Sequence, residues 1–393
     1  MKICFITTTI FNLGGVQRVV SVLASELSKN NKVEVICTDE RFHINREMYS
    51  LNSSVSINFN KELIQKNFIN KVFCKIFQKV NLLTGIFNNV NMDDFLTHAY
   101  YPKEIQKKFI NYLNLQKYDI VIGIEGYYSL LLGIIGDSLN AKTIGWLHNS
   151  YDAYLKNKDK YYWKQDKLFK KYIPKLNCCV VLTNSDKIKY KKRLGIECEV
   201  IYNPLSFECH MKSPCNEKDI IFVGRLLEMQ KGLDLLIEAF SRIHEAKKDW
   251  KLKILGDGDD KDSLINNIKK HNLEDNVLLT GKCDNVKEHY LHSSIFVSTS
   301  RWEGFGLSIT EAMECGVPVV AFDNSGPKEI IDKPDINGVL VENHDAAKFA
   351  EAVIKLIEDS EKRKNMSLES IKRAQDFKSD KIIKQWNELM GKI

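Results

Sequence analysis

Two glutamates eight positions apart frame the run Glu303-Gly304-Phe305-Gly306-Leu307-Ser308-Ile309-Thr310-Glu311. The run follows an apolar segment that reads as a strand, so Glu303 falls in a loop and Glu311 about two turns into the next helix. Gly304 and Gly306 let backbone approach a ligand closely and expose amide N–H groups where the helix begins. Two carboxylates so placed can accept hydrogen bonds from sugar hydroxyls. They can also work as general acid and base, as paired carboxylates do in glycoside hydrolysis. The plainer alternative is a helix start with a charged surface residue.

A second constellation lies upstream. Phe222-Val223-Gly224-Arg225 precedes Gln230-Lys231-Gly232, a strand, a loop and a helix start. Arg225 and Lys231 would flank the carboxyl end of that strand beside a helix N-terminus. Fixed cations plus a helix dipole can hold a diphosphate without a metal ion. The alternative is two solvated basic residues on a loop. His148, in Trp146-Leu147-His148-Asn149, follows another strand, and Glu125 and Tyr127 end a third.

These residues need strands to deliver them. Residues 2–9 read as a short buried strand, followed by the Gly14-Gly15 turn. Val16, Val19, Val20, Leu23 and Leu27 then fall on one helical face, and 32–38 is a second strand. A β-loop-α-β opening favours a parallel sheet covered by helices. Further strands are expected at 119–124, 142–146, 178–182 and 199–204. A polar stretch with Pro214 and Cys215 marks a linker. A second series is expected at 219–223, 251–255, 277–280, 295–298, 317–321 and 338–341, with helices such as 233–244 and 308–315 between. The last forty residues read as helix. With 393 residues the chain is too long for one ordinary core. The expectation is an α/β protein of two doubly wound Rossmann-like domains, 1–205 and 206–375, and a helix at 376–393 crossing back to the first. Such a tandem would place a ligand in a cleft between the carboxyl edges of the sheets.

The ordered set resembles glycosyltransferase family 4, of the GT-B fold. The two glutamates with the Gly-Phe-Gly insert match its hallmark motif, and Gly224-Arg225 with Lys231-Gly232 matches its pyrophosphate pair. Gly14-Gly15 with Arg18 matches its N-terminal turn, and Ala321-Phe322-Asp323-Asn324-Ser325-Gly326-Pro327-Lys328-Glu329 matches the segment that follows the glutamates. The likeness is strong over 218–375 and thinner over 1–38 and 118–204.

The resemblance implies a retaining, metal-independent transferase that uses a nucleotide diphosphate sugar, with UDP the favoured nucleotide. Arg225 and Lys231 would neutralise the diphosphate, and Glu311 would bind the ribose. Glu303 with the backbone of Gly304, Phe305, Gly306, Leu307 and Ser308 would contact the donor sugar and distal phosphate. The turn carrying Lys282 and Cys283 would sit by the base, and Gly15 would close over the phosphates. His148 would contact the donor sugar or the acceptor. Glu303, His148, Arg225 and Lys231 are therefore the expected catalytic group. No metal or other cofactor is expected.

Charge is unevenly spread. Residues 1–204 hold 29 Lys/Arg against 18 Asp/Glu, and the remainder 28 against 33. Only the front half is suited to an anionic surface. Within 61–80, Lys61, Lys71, Lys75 and Lys79 share one helical face, while Ile69, Val72, Phe73, Ile76, Phe77 and Val80 fill the other. A second basic cluster runs from Lys156 to Lys175 with Tyr161, Tyr162 and Trp163 interleaved. A basic amphipathic helix is a membrane-surface signature, although most such stripes pack on a core. Glu125, Lys71, Lys75 and Lys79 are candidates for acceptor or membrane contact. No nucleic-acid module is recognisable.

Ten scattered cysteines without C-x-x-C spacing read as free thiols in a reducing compartment. The chain start lacks the pattern of a signal peptide, and the longest apolar run is about half the ~20 residues a spanning helix needs. The reading is a cytoplasmic enzyme, peripheral on the inner face of the cell membrane. Its acceptor would be a glycan or undecaprenyl-type lipid-linked intermediate of surface polysaccharide synthesis, such as capsule or lipopolysaccharide. A GT-B sugar-nucleotide epimerase and a non-catalytic GT-B partner subunit are the alternatives.

Overall fold

Short runs of β-branched and aromatic residues, such as Ile3-Cys4-Phe5-Ile6 and Ile220-Ile221-Phe222, bury both faces of their strands. That requires helices above and below a parallel sheet, and the computed structural model shows two such sheets. It describes residues 1–283 and 285–393. The chain divides into two units, residues 1–204 with 379–393, and residues 205–378.

The first unit carries β1 (Lys2–Thr7), β2 (Lys32–Cys37), β3 (Ser56–Phe59), β4 (Ile120–Ile124), β5 (Lys142–Trp146), β6 (Cys178–Val181) and β7 (Glu199–Val200). Their order across the sheet is β3-β2-β1-β4-β5-β6-β7, and every pairing is parallel. The second carries β8 (Asp219–Val223), β9 (Lys251–Leu255), β10 (Val277–Gly281), β11 (Ile295–Ser298), β12 (Val319–Phe322) and β13 (Val339–Val341). Its order is β10-β9-β8-β11-β12-β13, again all parallel. In each sheet the order reverses once, between β1 and β4 and between β8 and β11. Loops leaving adjacent strands at that reversal turn to opposite faces, which opens a crevice at the carboxyl edge.

Helix Gly15–Leu27 presents Val19, Val20, Leu23 and Leu27 to the core, with Val16 only half-buried. The final helix, Ser379–Lys392, packs on it. That helix buries Ile382, Trp386, Leu389 and Met390, a helical stripe. Trp386 meets Trp146 at the end of β5 edge-on, with ring centroids 4.8 Å apart.

Several expectations are corrected. β1 stops at Thr7, β7 is two residues long, and β12 begins at Val319, after Pro318, which has no N–H to give a ladder. The helix of the first basic segment begins at Phe68 and runs to Thr84. Lys61 lies in a separate 3-10 turn, Lys61–Ile64, ion-paired with Glu40 at 2.7 Å, so it shares no face with Lys71, Lys75 and Lys79. Nor do the apolar residues fill one face. Phe73 and Phe77 pack inward, stacked at 3.9 Å, while Ile69, Val72, Ile76 and Val80 are exposed. Helix Leu307–Glu314 starts one residue early, and Glu311 lies one turn into it rather than two.

Candidate active site

The loops leaving β8 and β11 meet at the reversal in the second sheet. After β8, the chain passes Gly224 and Arg225 into a short helix, Glu228–Lys231, and turns at Gly232 with φ +61°. A Cβ there would lie 2.2 Å from the carbonyl oxygen of Thr299, just beyond β11, so only glycine allows this approach. The Thr299 hydroxyl donates to the Lys231 carbonyl at 3.0 Å, and the Arg301 N–H to the Gln230 carbonyl at 2.8 Å. Two loops distant in sequence are thus locked edge to edge.

That lock places Lys231 against Glu303. The ammonium donates to Glu303 Oε2 at 2.6 Å, and the Ser300 hydroxyl donates to the same oxygen at 3.2 Å. Both side chains are mostly buried, at 14% and 17% exposure, so the pair is less screened than a surface one. The loop bearing Glu303 is pinned further. Asn324 Nδ2 donates to the Ser300 carbonyl at 2.9 Å and Asn343 Nδ2 to the Arg301 carbonyl at 3.1 Å. Arg301 forks onto Asp234 at 2.9 and 2.5 Å. Burial pulls the Asp234 carboxyl upward, but the hydrogen bonds and charge of Arg301 outweigh it and hold the group below its usual range.

Gly306, at φ +112°, turns the chain into helix Leu307–Glu314, whose first amides point out of the helix start. Phe305 is buried against Phe377. Gly326 lies so close below that a Cβ would sit 2.1 Å from the Phe305 carbonyl oxygen. Glu311 is almost wholly buried, and the Tyr290 hydroxyl donates to its Oε2 at 3.2 Å. The two glutamates therefore have separate partners, a lysine and a serine for one, a tyrosine for the other.

The remaining expected residues lie along the same edge. Arg225 is exposed directly after β8. Lys282 is exposed and Cys283 half-buried beyond the end of β10. Sequence reasoning missed Gly256-Asp257-Gly258, after β9. A Cβ on Gly256 would lie 1.8 Å from the Gly224 carbonyl oxygen, and one on Gly258 would lie 2.4 Å from that of Leu226. The Leu226 N–H donates to the Asp257 carbonyl at 3.0 Å. A Gly-x-Gly directly after a strand was the available signal. Asp234, Tyr290 and Asn324 were also missed as supports, because their contacts join distant segments, and so was Ser300, whose bond to Glu303 is local.

The first unit has its own edge site. Gly15 is exposed at the start of the helix after β1. The preceding Gly14 N–H donates to the Tyr49 hydroxyl at 3.1 Å, which donates to the Asn12 carbonyl at 3.0 Å. Glu125 follows β4 directly as the first residue of helix Glu125–Ile135, with φ +62°, a left-handed conformation costly for a residue that bears a side chain. His148 follows β5, buried, its ring 4.2 Å from that of Trp146. Neither ring nitrogen has a hydrogen-bond partner. Burial alone drives its pKa down to about 3, so the ring is neutral. Among the described residues no group of three or more His, Cys, Asp or Glu could hold a metal ion. All ten cysteines are free.

Two doubly wound parallel units, with paired charges at the sheet reversal of the second, define the GT-B architecture. Residues 211–373 match the model of glycosyl transferases group 1. An uncharacterized glycosyltransferase of Haemophilus influenzae is 28% identical over 329 residues, covering 82% of this chain and 88% of that protein. The N-acetylgalactosamine-N,N'-diacetylbacillosaminyl-diphospho-undecaprenol 4-alpha-N-acetylgalactosaminyltransferase of Campylobacter jejuni is 33% identical over 192 residues. That alignment covers 47% of this chain, which spans 51% of the relative's length. The crystal structure of Anabaena Alr3699/HepE in complex with UDP superposes over the whole of both chains with a TM-score of 0.76 at 18% identity. The second unit carries a glycosyl transferases group 1 domain, and the fold of the chain is that of the GT-B glycosyltransferases.

Proposed function

We propose that the protein is a retaining, family 4-type hexosyltransferase. It moves a sugar from a UDP-sugar to a glycan or an undecaprenyl-type lipid-linked acceptor of surface polysaccharide synthesis. The observation that carries this reading is the Lys231–Glu303–Ser300 cluster at the reversal between β8 and β11. Glu303 spends Oε2 on Lys231 and Ser300, which leaves Oε1 to accept from a hydroxyl of the donor sugar. Lys231 and Arg225 meet the diphosphate charge, and the amides at Leu307 and Ser308 add the positive end of a helix dipole. As the bond to the leaving phosphate breaks, negative charge grows on the diphosphate. Groups already fixed in place stabilise it without reorganisation, which is where such sites gain most of their rate. Glu311, its rotamer held by Tyr290, binds the ribose, and Lys282 and Cys283 lie toward the base.

With Glu303 tied to a cation and a serine, it serves as a hydroxyl ligand rather than a nucleophile. The leaving phosphate takes the acceptor's proton on the same face, and neutral His148 offers a ring nitrogen to the donor sugar or acceptor. Glu125 is an acceptor ligand. The UDP complex of the Anabaena fold relative and the lipid-linked acceptor in the name of the Campylobacter enzyme support the choice of donor nucleotide and acceptor class. The site of action is the cytoplasmic face of the membrane, with the protein peripheral. Among the described residues no helix is long and apolar enough to cross.

The test is transfer from a panel of UDP-sugars in excess EDTA, with the product anomer read by NMR. Transfer that persists with the anomeric configuration retained supports the reading. Strict dependence on added metal or an inverted product overturns it. Isomerised donor without acceptor would favour an epimerase.

A further inference from the structure

The strongest feature that the transfer site does not absorb is helix Phe68–Thr84. Its residues divide among three sectors. Cys74 and Asn81 are buried, and Phe73 and Phe77 lean against Phe87, Phe95 and His98. A second sector holds Ile69, Val72, Ile76, Val80 and Leu83, spaced three or four apart and all exposed. A third holds Lys71, Lys75 and Lys79, also exposed. At about 100° per residue each sector lies roughly a third of a turn from the other two.

More apolar surface lies near both helix ends: Phe68, the first helical residue and on the lysine side, is 81% exposed, and Ile86 and Val90, the latter 73% exposed, follow the helix. Scattered exposed hydrophobics are ordinary, but a continuous ridge on one face marks a contact surface.

Three observations decide what the ridge meets. Residues 63–92 contain no Asp or Glu, and Lys71, Lys75 and Lys79 make no ion pair among the described residues. The second basic segment is tied to the same helix end. Lys164 donates to the Leu82 and Leu83 carbonyls at 2.9 and 2.8 Å, and Asn81 Nδ2 to the Lys164 carbonyl at 2.9 Å. Exposed Lys158 and Lys160 are thereby carried beside the ridge. A second copy of this face would bring the three helix lysines, Lys158 and Lys160 against the same set, with Asp159 the acid between the latter two, so like charges outnumber opposite ones and self-pairing is opposed. A planar surface that is apolar within and anionic at its rim answers both sectors at once.

We propose that the ridge of helix Phe68–Thr84 inserts into the interfacial layer of a bilayer rich in acidic phospholipid, with its lysine row and the Lys158–Lys160 loop on the headgroups. This deepens the peripheral placement proposed above and rests on it. Apolar insertion supplies the binding, and the cations supply the preference for acidic lipid.

The experiment is co-sedimentation of the whole protein with phosphatidylcholine vesicles, with and without phosphatidylglycerol. Calorimetric titration with UDP runs in parallel. The wild type is expected to bind the acidic vesicles. The variant Ile69→Ser/Ile76→Ser/Leu83→Ser should bind them at least about tenfold more weakly while taking UDP as the wild type does. Lys71→Gln/Lys75→Gln/Lys79→Gln should lose the preference for phosphatidylglycerol and keep residual binding. The proposal is overturned if wild type ignores both vesicles. It is equally overturned if the serine variant binds them undiminished, or if its only change is loss of a dimer in sedimentation. Failure of the wild type to bind UDP would instead sink the transferase reading, whatever the vesicles show.

Discussion

The edge sites of the two units differ in how their charged groups are held, although the second also buries Trp302 Nε1, Asn324 Oδ1 and Asn343 Oδ1 without a hydrogen bond. In the second unit the charged groups arrive already paired, Lys231 with Glu303 and Ser300, and Glu311 with Tyr290. In the first unit both His148 nitrogens and the indole nitrogens of Trp146 and Trp386 are buried without a hydrogen bond in the protein, as is Asn12 Oδ1. A buried polar atom left unpaired costs free energy that a partner would recover. The second site therefore holds its geometry before any ligand arrives. Both keep some hydrogen-bonding capacity for one, which in the first includes both nitrogens of His148.

The largest effect that tests this contrast is Lys231→Ala. It removes the diphosphate cation and strands the Glu303 carboxylate in a mostly buried place. We expect kcat to fall about 10²- to 10³-fold, the scale seen when a fixed charge-stabilising group is lost. A change of less than threefold in both kcat and UDP affinity would break the idea that the paired edge is the donor site.

Next is Gly256→Ala, which drives a methyl into the Gly224 carbonyl at a backbone φ of +149°. A stability loss of about 3 kcal/mol is expected by chemical denaturation. A loss under 1 kcal/mol would show that this edge yields, contrary to a preformed site.

The third concerns pH. His148 is pushed down to about 3 in the folded chain by burial, whereas an unfolded histidine titrates near 6.5. Between those values the unfolded chain binds the extra proton. The stabilisation from keeping this ring neutral is thus complete above about pH 6.5 and is lost as pH falls toward 3. Relative to His148→Gln, the wild type should lose on the order of 2–3 kcal/mol between pH 7 and pH 4. Parallel stability curves for the two proteins would show the ring to be hydrated.

The smallest is Tyr290→Phe. It removes one hydroxyl bond to the buried Glu311 and should weaken UDP binding by about five- to tenfold with kcat nearly unchanged. A fall in kcat with unchanged affinity would move Glu311 from ribose binding to the chemistry.

The central strands were legible because both their faces are buried, which writes an apolar run into the sequence, whereas 251–255 alternates Lys251 and Lys253 with apolar residues. Residues 142–146, 219–223, 251–255 and 295–298 are strands to the residue. The Glu303 loop was legible through glycines at Gly304 and Gly306 beside a carboxylate. Its supports were not. Nothing near Glu311 in sequence announces Tyr290, and nothing near Trp146 announces Trp386, because those contacts are made only once distant segments fold together. The helix at 68–84 was misread for a related reason. Phe73 and Val72 are equally apolar, and only a tertiary neighbour, His98 against Phe73, selects which faces inward.

The path of the chain through its two units has a consequence for the order of synthesis. Residues 205–378 form one unbroken stretch, whereas the first unit closes only when Trp386 and its helix reach Trp146. On a ribosome the N-terminal segment emerges first, yet it is the later of the two to be finished. The middle of the chain can reach its native packing while the first sheet still waits with an unsealed apolar flank. Domains normally fold as they emerge, front to back. Here a released chain ending at residue 378 would carry a finished second unit and an open first one, and limited proteolysis of that truncated chain would cut first within 1–204.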